Sequence, residues 1–135
     1  MRLKLKLAVL GLGILAAASS AWAHHAFAAE FDVNKPLELR GKVVRMEWIN
    51  PHTWIHVAVP DAKTGKTIEW MIEGGPPNGL IRRGFTKASL PEGTEIVVIG
   101  WQAKDESYRA NGSSITLPDG TRLFLASSKD SANEK

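Results

Sequence analysis

The chain contains no cysteine among its 135 residues. A chain without thiols forms no disulfides and cannot hold a metal ion through thiolates. Any metal site in this protein must therefore use nitrogen and oxygen atoms, which makes the four histidines the first residues to consider.

The chain also lacks an apolar run long enough to cross a membrane. Its longest apolar stretch, Leu7 to Ala18, is shorter than the roughly 20 residues that a spanning helix needs. Ala21-Trp22-Ala23 follows it, and three basic residues precede it: Arg2, Lys4 and Lys6. A basic start, a short apolar core and an A-x-A sequence are typical of a cleaved export signal. We therefore predict a signal peptide over residues 1–23 and a periplasmic or secreted protein that does not span the membrane after cleavage.

A strong net charge is missing as well. The whole chain has 17 basic and 14 acidic residues, but three of the basic residues lie in the predicted signal, so the processed chain carries 14 of each sign. Nucleic-acid binders normally present a concentrated basic surface. We therefore expect no nucleic-acid partner.

Without residues 1–23, the chain has 112 residues, the size of one domain with a modest core. We expect a loosely structured N-terminal arm over 24–36, ending at Pro36, and a β-barrel domain over 37–126. The polar residues 127–135 have the composition of a disordered tail.

The order of the predicted elements indicates an all-β fold with one short helix, namely a small OB-like antiparallel β-barrel. A helix capped by Asn78 and ended by Gly84 follows three strands and precedes two or three more. The predicted strands are 37–49, 52–59, 67–73, 94–102 and a hairpin across 113–126. A curled antiparallel sheet or a sandwich with an incidental helix is the alternative.

Side-chain alternation places polar and aromatic residues together on two of these strands. His52, Trp54 and His56 share one face of the second strand, since successive side chains point to opposite sides. Glu69 and Glu73 share one face of the third strand, which we interpret as a solvated face rather than a catalytic pair.

Four segments resemble a family of small exported bacterial proteins of unknown function. They are HHAFAAEFD at 24–32, EWINPHTWI at 47–55, RRGF at 82–85 and YRAN at 108–111. The resemblance implies an exported single-domain protein and carries no activity with it. The chemistry must therefore come from the residues.

The histidines suggest a copper site at the new amino terminus. Cleavage after Ala23 would leave His24 as the first residue, whose α-amine and Nδ1 atom close a chelate ring on a metal ion. His25 or His52 would add a third nitrogen, a set that suits Cu(II). Cleavage after Ala21 would instead make His24 the third residue, which also chelates Cu(II) or Ni(II).

His56 completes the candidate metal ligands, but it and His52 lie about 13 Å apart along a regular strand and cannot both reach one ion. We prefer His52, because the Asn50-Pro51 turn puts it at a strand end where the arm can fold over it. The alternative is that these histidines bind no metal and only cap turns or pack against neighbours.

A second hypothesis uses tryptophan and no metal. Exposed aromatic rings on an OB-like strand face bind extended ligands by stacking, and an electrically neutral chain would favour a sugar, a peptide or a small amphiphile. We expect Trp48 and Trp70 inside, which leaves Trp54 as the ligand-binding candidate. No arrangement of residues indicates a catalytic centre, so an enzyme is the least supported class.

Overall fold

The computed structural model describes residues 26–125. The predicted signal peptide, His24, His25 and the predicted tail lie outside the described residues. The strands are β1 (Phe31–Glu47), β2 (Trp54–Pro60), β3 (Thr67–Glu73), β4 (Glu95–Ala103), β5 (Arg109–Thr116) and β6 (Arg122–Phe124). A helix, α1 (Pro77–Arg82), and a 3₁₀ turn, Lys87–Ser89, connect β3 to β4, and residues 26–30 form a helical turn before β1.

The strands form one sheet whose order is β3-β2-β1-β4-β5-β6. All neighbours in that order are antiparallel, and an additional parallel pairing joins β3 to β5. This last pairing closes β1, β2, β3, β5 and β4 into a ring. The structure confirms the predicted all-β class, with the helix between the third and fourth strands.

Strand β1 is shared between two neighbours. Its first part pairs with β4 and its second part with β2, and the exchange occurs around Lys42, which has a partner in both. Next to it, a Cβ atom on Gly41 would lie 2.3 Å from the carbonyl oxygen of Ala58. Glycine is therefore required here because only a residue without a side chain permits this close approach of two strands.

The main core fills the space that the ring encloses. Its buried members come from every ring strand, from α1 and from the segment after α1, and include Ile55, Val57, Ile72, Leu80, Phe85, Val98 and Ile115. Burial of these side chains is the main favourable contribution to folding, at about 25 cal/mol per Å² of apolar surface.

Helix α1 begins two residues earlier than predicted. Pro76 occupies the N-cap position and no side chain caps the helix, so the predicted cap at Asn78 is wrong. Pro77 occupies the first helical position, which suits proline because its fixed φ matches the helix and its missing N–H would have had no partner there. Gly84, with a φ of 80°, follows the end of the helix as expected.

The predicted N-terminal arm is more ordered than expected, since β1 begins at Phe31 and continues through Pro36. Phe31 pairs with Ala103 and Pro36 with Trp101, with an irregular register between them. Proline is tolerated at such an irregularity because it removes no regular ladder hydrogen bond. The local sequence pattern does not predict this first part of β1, because its formation depends on pairing with β4, which is distant in sequence.

A second, smaller apolar cluster holds the start of the described chain. Phe27 and Phe31 pack on Trp101 and Ala103, and the Phe27 and Trp101 rings meet edge to face with centroids 5.8 Å apart. Lys104 adds two hydrogen bonds: its backbone N–H donates to the Glu30 carbonyl oxygen at 2.9 Å, and its Nζ donates to the carbonyl oxygen of Ala28. The arm is therefore fixed to the β4 end of the ring.

Within residues 26–125, no helix is long and apolar enough to cross a membrane.

Candidate functional site

Strand pairing brings Trp54, Glu73 and Asn111 into one row across three strands. Trp54 on β2 is the partner of Glu73 on β3, and Glu73 is the partner of Asn111 on β5. His52 lies two residues before β2, at the same end of the strands. The candidate site is built around this row.

Glu73 is the buried acid of the site. Its side chain is only 8% exposed, and its Oε1 atom accepts a hydrogen bond of 3.2 Å from Asn111 Nδ2. His52 Nδ1 lies 3.5 Å from the same oxygen. The expectation of a solvated face is therefore wrong for Glu73, because the pairing with β5 covers a position that an open sheet edge would expose. Glu69 is exposed as expected.

Burial is the main influence on the Glu73 carboxyl and raises its pKa above the usual value, since desolvation penalises the charged form. The nearby Glu30 charge acts in the same direction. The charges of His52 and Arg109 and the hydrogen bond from Asn111 partly offset this rise in pKa. Glu73 is thus a carboxyl group whose charge needs a positive partner.

Arg109 connects the N-terminal arm to the site. Its Nη2 atom lies 2.8 Å from Glu30 Oε2 in an ion pair. The same guanidinium lies 5.6 Å from the centroid of the Trp54 ring and 6.0 Å from that of Phe31, within the range of a cation–π interaction. One side chain therefore ties the arm to the row that contains Glu73.

His56 lies in a separate polar cluster with Arg45, Glu47 and Glu69. The histidine is 2% exposed, with Nδ1 2.7 Å from Glu69 Oε1 and Nε2 3.0 Å from Glu47 Oε1. A neutral imidazole has one N–H group, so His56 donates to both carboxylates only as the imidazolium. Arg45 Nη1 also lies 3.0 Å from Glu69 Oε1. The hydrogen bond from His56, followed by the charge of Arg45, lowers the pKa of Glu69.

The predicted site residues thus divide into three groups. His24 and His25 lie outside the described residues. His52 and Trp54 are half-buried and belong to the row with Glu73. His56 is buried between two carboxylates, which occupy both of its ring nitrogens. Residues 26–125 by themselves contain no group of three or more histidine, aspartate or glutamate side chains arranged to hold a metal ion.

The tryptophans expected inside pack against the main core while staying partly exposed. Trp48 stacks on Phe85 with ring centroids 6.1 Å apart, and Trp70 meets Tyr108 edge to face at 5.4 Å. The Trp54 ring is not open to a ligand on all sides, since the guanidinium of Arg109 already lies near it.

Sequence reasoning missed Glu73 and Asn111 as members of the site. They are 38 residues apart and meet only because β3 and β5 pair in parallel. The segment YRAN at 108–111, which resembles the family, contains Asn111 and pointed to this region. No local pattern indicates which strand it pairs with.

The model of a family of unknown function, DUF6152, matches residues 12–112, and the chain therefore belongs to this family. The match confirms the resemblance to a family without a known activity. No curated protein and no solved structure matches the sequence.

Proposed function

We propose that this protein is an exported, periplasmic binding protein that holds Cu(II) at the amino terminus of its processed chain. The α-amine and imidazole of His24 and the imidazole of His52 are the proposed ligands, with His25 as the alternative third nitrogen. The proposed role is therefore copper binding.

The packing of the N-terminal arm carries this proposal. Glu30 pairs with Arg109, and the Arg109 guanidinium lies over Trp54, which neighbours His52 and Glu73. Ala26 begins the described chain and His24 precedes it by two residues, a span of at most about 7 Å. The arm is therefore anchored beside the row with His52.

The chemistry of the available donors favours copper. With no cysteine, the ligands are nitrogen and oxygen atoms, and Cu(II) stands highest among the common divalent ions in affinity for such sites. His56 is set aside as a ligand because binding a metal would require it to give up a contact with Glu47 or Glu69. His52 has a 37% exposed side chain and is accessible to an ion from solvent.

The test compares natively processed protein with a variant that carries one extra residue before His24. The variant keeps every side chain but cannot form the chelate between the terminal amine and Nδ1 of His24. We expect its Cu(II) affinity to be at least about 10-fold weaker, equal to about 1.4 kcal/mol. Competition with a chelator of known affinity measures the difference. Equal affinity in the two proteins would contradict the proposal.

An organic ligand at Trp54 is the second candidate function, favoured by the pairing of an aromatic ring with the Arg109 guanidinium. Such a pair offers a stacking surface and hydrogen-bond donors to a sugar, a peptide or a small amphiphile. Ligand titrations in the presence of a metal chelator, followed by tryptophan fluorescence in the native protein and in Trp54→Phe, would test it. Binding that persists without metal and weakens in Trp54→Phe would favour this candidate.

A further inference from the structure

We propose that Glu73 supplies an oxygen ligand to the bound Cu(II) ion, with Asn111 as its positioning residue. This inference rests on the proposed function and adds to its ligand set a side chain that the sequence pattern assigned to solvent.

The first argument is the cost of burying the carboxylate. An ionised carboxyl group away from water is strongly unfavourable unless a cation compensates it. Among the basic groups of the described chain, Arg109 forms its ion pair with Glu30 and compensates Glu73 only in part. His52 Nδ1 lies within 4 Å of Glu73 Oε1. Their separation of 3.5 Å is longer than the 2.7–2.9 Å of a charge-assisted hydrogen bond. A metal ion would supply the remaining positive charge that the Glu73 carboxylate needs.

The second argument is the separation of the two candidate ligand atoms. Metal–nitrogen and metal–oxygen bonds to such side chains are about 2.0–2.2 Å long, so two neighbouring ligand atoms of one ion lie roughly 2.9–3.6 Å apart. His52 Nδ1 and Glu73 Oε1, at 3.5 Å, fall within that range. The separation of these two atoms is therefore compatible with both binding one ion.

The third argument is that Glu73 is held in place. Asn111 Nδ2 donates to Oε1, and the strand pairing fixes the two residues beside each other. A carboxylate oxygen has two lone pairs, so Oε1 can accept this hydrogen bond and also bind a metal. Metal ligands are commonly oriented by such an outer hydrogen bond, whose loss typically costs 10- to 100-fold in affinity.

Glu73→Gln tests the inference, because the amide keeps the shape of the side chain and removes the anionic ligand. We expect natively processed Glu73→Gln to bind Cu(II) at least about 10-fold more weakly than the native protein, and Asn111→Ala to bind it more weakly too. The matched control is Glu95→Gln, an exposed carboxylate paired with Lys42 on β1, which should leave the affinity unchanged.

A spectroscopic readout on the native protein keeps the test independent of the variants' folding. With glutamate labelled by ¹³C at the side-chain carboxyl, electron-nuclear double resonance should detect a hyperfine coupling between Cu(II) and a carboxyl carbon. Copper binding without that coupling, or with equal affinity in folded Glu73→Gln, would overturn the role of Glu73 and leave the proposed function intact. A native protein that binds no Cu(II) would overturn the proposed function itself.

Discussion

Glu73 and Asn111 lie side by side on two parallel strands, and Asn111 Nδ2 donates a 3.2 Å hydrogen bond to Glu73 Oε1. The contact lies in the pairing that closes the ring of strands. It gives a buried carboxylate one fixed neutral partner and leaves its charge to be balanced by a cation. The candidate site is therefore formed by the closure of the fold rather than by any single segment.

The first prediction concerns processing. We expect intact-mass analysis of exported protein to show a chain that begins at His24, because Ala21-Trp22-Ala23 has the small residues that signal peptidase requires. A start at Trp22 would move His24 to the third position and change the proposed copper ligands. Retention of residues 1–20 would contradict the predicted signal peptide.

The second prediction concerns the His56 cluster. His56→Ala should lower the free energy of unfolding by about 1–3 kcal/mol, because it leaves Glu47 and Glu69 without the group between them and creates a cavity. Urea denaturation measures the change. Glu38→Ala, which removes an exposed carboxylate paired with Arg40, is the control and should stay within about 0.5 kcal/mol of the native value. Equal effects of the two substitutions would show that the cluster contributes little to stability.

The third prediction concerns pH and the metal-free protein. Burial raises the pKa of Glu73 above its ordinary value of 4.5, so the folded state binds this proton more tightly than the unfolded chain does. The proton therefore contributes stability at low pH, which is lost as the pH rises through the folded-state pKa. Glu73→Gln does not titrate. We expect its free energy of unfolding, relative to the native protein, to increase as the pH rises above 4.5.

Urea denaturation at a series of pH values, with a chelator present, checks this third prediction. The difference between Glu73→Gln and the native protein should become constant above the folded-state pKa. A difference that is flat across the series, or that falls with rising pH, would show that Glu73 is not destabilised by its burial.

The fourth prediction concerns the arm. Phe31 is buried in the cluster with Phe27, Ala103 and Trp101, so Phe31→Ala should cost about 3–5 kcal/mol of stability. It should also weaken Cu(II) binding, since the arm would no longer be fixed beside His52. Val33→Ala is the matched control, because Val33 lies on the same segment with half of its surface exposed and should change neither quantity appreciably. Unchanged copper affinity in a folded Phe31→Ala protein would show that arm packing does not position the site.

Much of the fold follows from local sequence. The third strand was predicted over 67–73 and is found at Thr67–Glu73. Alternating side chains and flanking turns define it without any contribution from residues distant in sequence. The helix between the third and fourth strands was also predicted. Its first residue was not, because proline and asparagine both suit a helix start and local preference does not separate them.

The errors have a shared cause. The start of β1 at Phe31 depends on Ala103 and Trp101, and the burial of Glu73 depends on Asn111. His56 was assigned to the polar face of β2 and is buried nevertheless, because Glu47 and Glu69 from the two neighbouring strands cover it. In each case the deciding partner is distant in sequence, where periodicity carries no information.

The sequence by itself determined the all-β class, the order of the elements and the membership of DUF6152, because alternation, turn residues and family motifs are local properties of the chain. Only the tertiary structure decided which polar residues meet. The parallel pairing of β3 and β5 placed Glu73 against Asn111, and the packing of Phe27 and Phe31 on Trp101 fixed the arm nearby. The physical reason is that burial and charge compensation depend on neighbours, and the closure of the ring selects those neighbours.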